Sequence, residues 1–132
     1  MLDITPEDRF AIHEVIALHG HIADDHDWDR WGELYTDDVV MDLADFGHGT
    51  LRGVRELRAL SIAQRDDPGQ PLGHHVTNTV LVARDGDHVR ARSKGLAVMR
   101  DGTSGTVVYE DTLRREPGGW RICHRKILGR KG

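Results

Sequence analysis

The chain has 132 residues, 38% of them hydrophobic and 30% charged, with a net charge of −4 and one cysteine. These totals fit a single domain spanning 1–132 and rule out an internal disulfide. With no basic patch interleaved with aromatics, they also argue against nucleic acid as a partner. No apolar run approaches the ~18–20 residues of a membrane span, and MLDITPEDRF lacks the basic and apolar regions of a secretory signal. A cytoplasmic domain with no membrane partner is the expectation.

Thr5-Pro6-Glu7-Asp8 opens a helix: threonine caps, proline suits the first helical position, and acids favour the first turn. Ile12, Val15, Ile16, His19, Ile22, Ala23 and His26 then recur at helical spacing as one buried stripe. His19, in the middle of that stripe, is either a hydrogen-bonded core histidine or a group pointing into a pocket. Asp24 lies on a second line, Phe10, Ala17, Asp24, at seven-residue spacing. Periodicity alone does not settle which way it faces.

Asp27 is placed to cap a short second helix whose apolar side is Trp28, Trp31, Leu34 and Tyr35. Thr36-Asp37-Asp38 supplies a turn, and 39–43 alternates as a strand. A loop through Gly47 and Gly49 leads to a short extended piece ending at Arg52, and a third helix is expected over 53–65. The 66–73 segment, with two prolines and two glycines, is a loop suited to a pocket rim.

The rest is strand. Segments 74–83, 88–100, 105–116 and 120–128 are separated by turn signals at Asp85-Gly86, Asp101-Gly102 and Pro117-Gly118-Gly119, which gives an antiparallel meander after a helical layer. The class is α+β. Period-two counting puts Val89, Ala91, Ser93, Gly95 and Ala97 on one small, apolar face, and His88, Arg90, Arg92 and Lys94 on the other. By the same count Val107, Tyr109, Asp111 and Leu113 share a face, as do His74, Val76, Asn78, Val80 and Val82, and as do Trp120 and His124. A packed core avoids groups such as Asp111 and Asn78, each of which must be satisfied. Their presence among small apolar residues suggests a small-molecule pocket.

Nine histidines raise the question of a metal. His19 and His21 are two apart on a helix and face differently, His74 and His75 point to opposite sides of a strand, and no His-Glu-x-x-His occurs. No metal and no cofactor are expected. Cys123 has no companion base and reads as an inert small residue.

The ordered set Asp24-x-x-Asp27-Trp28-Asp29, Leu34-Tyr35-Thr36-Asp37-Asp38-Val39-Val40, Leu51-Arg52-Gly53, His74-His75-Val76-Thr77-Asn78, Tyr109-Glu110-Asp111 and Gly119-Trp120-Arg121-Ile122-Cys123-His124-Arg125 resembles the SnoaL-like branch of the NTF2-like superfamily. That branch includes scytalone dehydratase and bile-acid 7α-dehydratase. The resemblance implies a cone, with three N-terminal helices packed in a strongly curved, mostly antiparallel sheet and the ligand inside. It also implies an acid–base pair formed by an aspartate ending the first helix and a histidine on the strand after the third. These roles fall on Asp24 and His74, which turns Asp24 toward the pocket. Related enzymes often carry a tyrosine where this chain has His19, and scytalone dehydratase has a tyrosine at the position matching Leu43 and a second histidine near Ser93. The groups expected to polarise a carbonyl are therefore His19 and Tyr109, with Asn78 and Asp111 as further pocket residues.

The expected function is a cofactor-independent dehydratase, isomerase or cyclase, with epoxide hydrolysis open to the same pocket, acting on a small, largely apolar, oxygenated molecule such as a polyketide or steroid-like compound. The alternative is a non-catalytic module that binds a small ligand. By the same resemblance the chain is expected to pair as a homodimer through the outer face of its sheet.

Overall fold

In the computed structural model, which describes residues 2–130, a first helix α1 (Pro6–Asp24) begins as expected. Thr5 Oγ1 accepts the Asp8 backbone N–H at 3.1 Å, satisfying one of the free donors of the first turn. Ile12, Val15, Ile16 and Ile22 are buried, so the apolar stripe faces the interior. His26 leaves that stripe: the helix has ended, and its backbone takes φ 55°. Phe10 is 78% exposed, so the second line of the helix is not wrapped by protein at its start.

The helical layer differs from three helices. It has two α-helices, α1 and α2 (Val54–Ala63), and between them a six-residue 3-10 helix, Trp28–Glu33. Asp27 does not cap that short element; its carboxylate accepts from Arg30 Nη1 at 3.3 Å instead. Trp31 and Leu34 are buried as expected, but Tyr35 already belongs to the first strand. A further 3-10 turn, Ala44–Phe46, follows that strand.

Six strands form one sheet: β1 (Tyr35–Asp42), β2 (Thr50–Arg52), β3 (Gly73–Asp85), β4 (His88–Val98), β5 (Ser104–Glu116) and β6 (Gly119–Gly129). Their order is β2-β1-β6-β5-β4-β3, antiparallel throughout except for the parallel β1–β6 pair. The meander β3 to β6 follows the turn signals; the β3–β4 loop is Gly86-Asp87, with Gly86 at φ 58°. Helix α1 packs against both β3 at the sheet edge and β6 three strands away. Contact with both of these strands fits a sheet that curls around the helix. Gly20 sets the closeness of the α1–β3 contact, because a methyl there would collide with the His74 carbonyl oxygen.

Two bulges break the alternation and overturn two expectations. In β3 the register with β4 shifts between Thr77 and Val80, and Asn78 takes φ 56°. Asn78, Val80 and Val82 consequently face solvent, while Thr79, Leu81 and Ala83 turn inward. In β6 Leu113 pairs with Ile122 but Thr112 pairs with His124, which leaves Cys123 as the extra residue. Trp120 and Ile122 face the core, and past the bulge it is Arg125, not His124, that turns in.

Arg125 is fully buried and lies against Asp111 in a two-pronged pair, Nε to Oδ1 at 2.7 Å and Nη2 to Oδ2 at 2.9 Å. Removing one member of such a pair leaves an uncompensated buried charge, whereas replacing both with apolar groups can be neutral. Arg125→Met should therefore lower unfolding stability by about 3–5 kcal/mol in urea titration, and adding Asp111→Leu should recover most of that loss. Gly20→Ala should cost about 1–3 kcal/mol in the same measurement, as overpacking does, through the forced separation of α1 from β3.

Candidate active site

The last turn of α1 and the first residues of β3 meet at the mouth of the cone. There Asp24 accepts three hydrogen bonds from one residue: His74 backbone N–H reaches both carboxylate oxygens at 3.0 and 3.1 Å, and His74 Nδ1 lies 2.7 Å from Oδ1. The backbone bonds clamp the carboxylate in place, and a carboxylate can only accept, so the ring proton sits on Nδ1 and Nε2 is left as the acceptor. The two side chains retain 22% and 26% exposure, which leaves the pair open to a ligand.

His19, one turn before Asp24 on α1, presents its ring edge-on to His74 with centroids 5.5 Å apart. It stacks on Trp31 at 5.5 Å and lies 5.9 Å from the Tyr109 ring. Its Nδ1 is 3.2 Å from the Tyr35 hydroxyl. Burial, and then the positive charge of Arg125, hold its pKa well below the ordinary histidine value. Tyr109 comes from β5 and packs over β4 at Gly95, where any Cβ would strike its ring. Burial raises the Tyr109 pKa, with Asp111 and Asp24 acting in the same direction against Arg125, so the phenol stays protonated as a donor. His74 Nε2, His19 Nε2 and the Tyr109 hydroxyl have no protein partner among the described residues, yet none is sealed from solvent. His19 lies between the other two rings, 5.5 Å from His74 and 5.9 Å from Tyr109.

Of the residues expected in the pocket, Asp24, His74, His19 and Tyr109 come together here. Asp111 is close by but committed: both carboxylate oxygens belong to Arg125, so it serves the site from beneath. Asn78 is not part of the site, since the β3 bulge exposes it and its side-chain oxygen accepts from Thr77 Oγ1 at 2.6 Å. Arg125 and Tyr35 were missed. Arg125 Nη1 donates to the Tyr35 hydroxyl at 3.1 Å, and its guanidinium lies 4.3 Å from the Tyr109 ring centroid. Burial opposes the Arg125 charge, but Asp111 and the two tyrosines outweigh it and its pKa is raised. Ser93, across from Tyr109 and 2% exposed, has a hydroxyl with no protein partner.

Cys123 is only partly buried, with Sγ 3.4 Å from the Thr112 carbonyl, and burial raises its thiol pKa. Among the described residues, no three or more His, Cys, Asp or Glu are grouped to hold a metal ion. No helix among them is long and apolar enough to cross a membrane. Two surface hollows lie elsewhere: one of about 230 Å³ on the outer sheet face beside Arg90, Arg92, His124 and Lys126, and one of about 470 Å³ beside Gly32, Asp38, Arg114 and Arg121.

Among solved structures, the chain is similar to a candidate aromatic ring hydroxylase from Novosphingobium aromaticivorans, at 24% identity, TM-score 0.83, and coverage of 98% of this chain and 94% of that one. An NTF2-like protein with a cystatin-like fold from the same organism is 27% identical, with TM-score 0.80 and coverage of 96% and 84%. A candidate scytalone dehydratase, also from N. aromaticivorans, is 17% identical, with TM-score 0.75 and coverage of 93% and 84%. No curated protein matches the sequence. The model of the SnoaL-like domain matches residues 5–126, nearly the whole cone, and the chain belongs to that family.

Proposed function

We propose that the protein is a cofactor-independent lyase or isomerase, of the dehydratase, isomerase or cyclase kind, acting on a small, largely apolar, oxygenated molecule such as a polyketide or steroid-like compound. The observation that carries this reading is the Asp24–His74 clamp, with Nδ1 held at 2.7 Å and Nε2 left without a protein partner among the described residues. His74 Nε2 takes a proton from the carbon next to a carbonyl, and Asp24 orients the ring and stabilises the imidazolium that forms. The electron pair of the broken C–H bond moves to the carbonyl oxygen, where His19 and Tyr109 donate hydrogen bonds to the growing charge. In a dehydration, the proton on His74 then leaves with a β-hydroxyl group as water. In an isomerisation, it returns to another carbon of the conjugated system. Epoxide opening would use the same groups on a different substrate.

A second reading, a module that binds a small ligand without turning it over, is favoured by one observation: the two surface hollows described above lie away from Asp24 and His74. The two readings separate in one experiment. Ligands that co-purify with the protein are identified by mass spectrometry, and they and related β-hydroxyketones and 3-ketosteroids are incubated with it in D2O. Wild-type protein should exchange the proton next to the carbonyl. Asp24→Asn and His74→Ala should each slow that exchange by about 100-fold or more while ligand binding persists. Undiminished exchange in either variant removes the acid–base assignment, and binding without exchange by the wild type selects the second reading.

The proposal includes a homodimer through the outer sheet face, supported by the exposed Val80, Val82 and Leu96 set among Arg90, Arg92 and Lys94. Sedimentation equilibrium should return twice the chain mass, and Val80→Asp with Leu96→Asp should return the monomer. A monomeric wild type would dismiss the pairing.

A further inference from the structure

The Arg125–Tyr35–His19 line admits only one arrangement of protons. Arg125 is a donor at every nitrogen and accepts nothing, so at 3.1 Å the Tyr35 oxygen must be the acceptor. Tyr35 is 1% exposed, and among the described residues its hydroxyl proton has no protein acceptor other than His19 Nδ1, at 3.2 Å. Burial keeps that phenol protonated by raising its pKa, against the pull of Arg125. His19 Nδ1 therefore accepts, and the single proton of the neutral ring sits on Nε2. His74 is the mirror case: Asp24 fixes its proton on Nδ1 and leaves Nε2 bare. The two rings, 5.5 Å apart, thus present one Nε2–H and one Nε2 lone pair.

We propose that Tyr35 and Arg125 are positioning residues that hold His19 as a neutral Nε2–H donor, aimed at the oxygen of an uncharged carbonyl ligand. This deepens the acid–base reading and rests on it for the ligand, but the tautomer itself is a property of the free protein. The charges facing His19 agree. Arg125 is neutralised by Asp111, Tyr35 and Tyr109 are protonated phenols, and His74 is matched to Asp24, so no free cation waits for a carboxylate. A ketone or aldehyde oxygen, neutral when bound and negative only during reaction, is the group such a site rewards most. A neutral imidazole donor also avoids placing a third positive charge beside Arg125 and a protonated His74.

The test uses wild-type protein labelled with 15N-histidine and long-range 1H–15N correlation spectra, with His19 assigned by loss of its signals in His19→Gln. The expected wild-type pattern is that of the Nε2–H tautomer, with no titration of His19 through the ordinary histidine range as pH falls. In Tyr35→Phe, the pattern should change to a mixture of tautomers. If Tyr35→Phe does not fold, both tyrosines can be replaced biosynthetically by 3-fluorotyrosine, a stronger donor; the His19 Nδ1 resonance should then move while the Nε2–H tautomer stays. An Nδ1–H tautomer in the wild type overturns the proposal. So does a His19 signal unchanged both by Tyr35→Phe, where that variant folds, and by fluorination. None of these readouts uses turnover, so their failure is distinct from a failure of the Asp24–His74 assignment.

Discussion

The bidentate Arg125–Asp111 pair is the constraint on which the interior of the cone depends. A guanidinium and a carboxylate with no solvent contact satisfy each other only if β5 and β6 keep their register to within a fraction of a residue. The bulge at Cys123 makes that register possible. Were the strand to alternate regularly through Cys123, His124 would face inward and Arg125 would point to water. From this pair the ordered contacts run upward through Tyr35 on β1 to His19 on α1, while Tyr109 lies over the guanidinium from β5. Buried polar groups are costly unless fully partnered, and this set has its partners in place. The groups left without protein partners are those of the proposed site and the buried hydroxyls of Ser93 and Thr36.

The mouth is set by a different device. Asp24 is bonded to the backbone of His74 as well as to its ring, so the helix end and the strand start are joined at two levels. Gly20, one turn earlier, lets the helix come near enough for this to happen. Neither residue would be informative alone. A carboxylate at a helix end is ordinary, and a histidine at a strand start is ordinary. Their geometry comes from the absent methyl at Gly20 and from the curl that brings the sheet edge over α1.

Much of the fold could be read from the residues. Thr5-Pro6-Glu7 marked the true start of α1, Asp85-Gly86 marked the β3–β4 turn, and the small face of β4 is inward as counted. The short element after α1 was harder: six residues cannot display a helical period, and Trp28–Glu33 winds as a 3-10 helix. Alternation failed where a strand carries an extra residue. Asn78 was placed inside by a period of two that the chain resets at that very residue, and a second reset, at Cys123 in β6, concealed Arg125. Arginine in a run of basic and polar residues normally signals solvent. The one available hint was Asp111, which periodicity put inside and which therefore required a cation from somewhere. In the site, Tyr109 and His19 were legible because their neighbours in the pattern were apolar. Tyr35 was legible only as the apolar end of a helix that in fact stops before it.

The parallel β1–β6 ladder has a bearing on how the molecule is made. Tyr35 pairs with Ile122 and Asp42 with Lys126, so the first strand, already paired with β2 on one side, finds its neighbour on the other only when the last has emerged. Pairings this distant in the chain close late, because loop entropy is spent before contacts return it. Until then Asp111 has no cation, Tyr35 no donor and α1 only part of its seat. The buried floor built on Arg125 thus forms only when the final strand docks, whereas the Asp24–His74 clamp joins elements that are already complete.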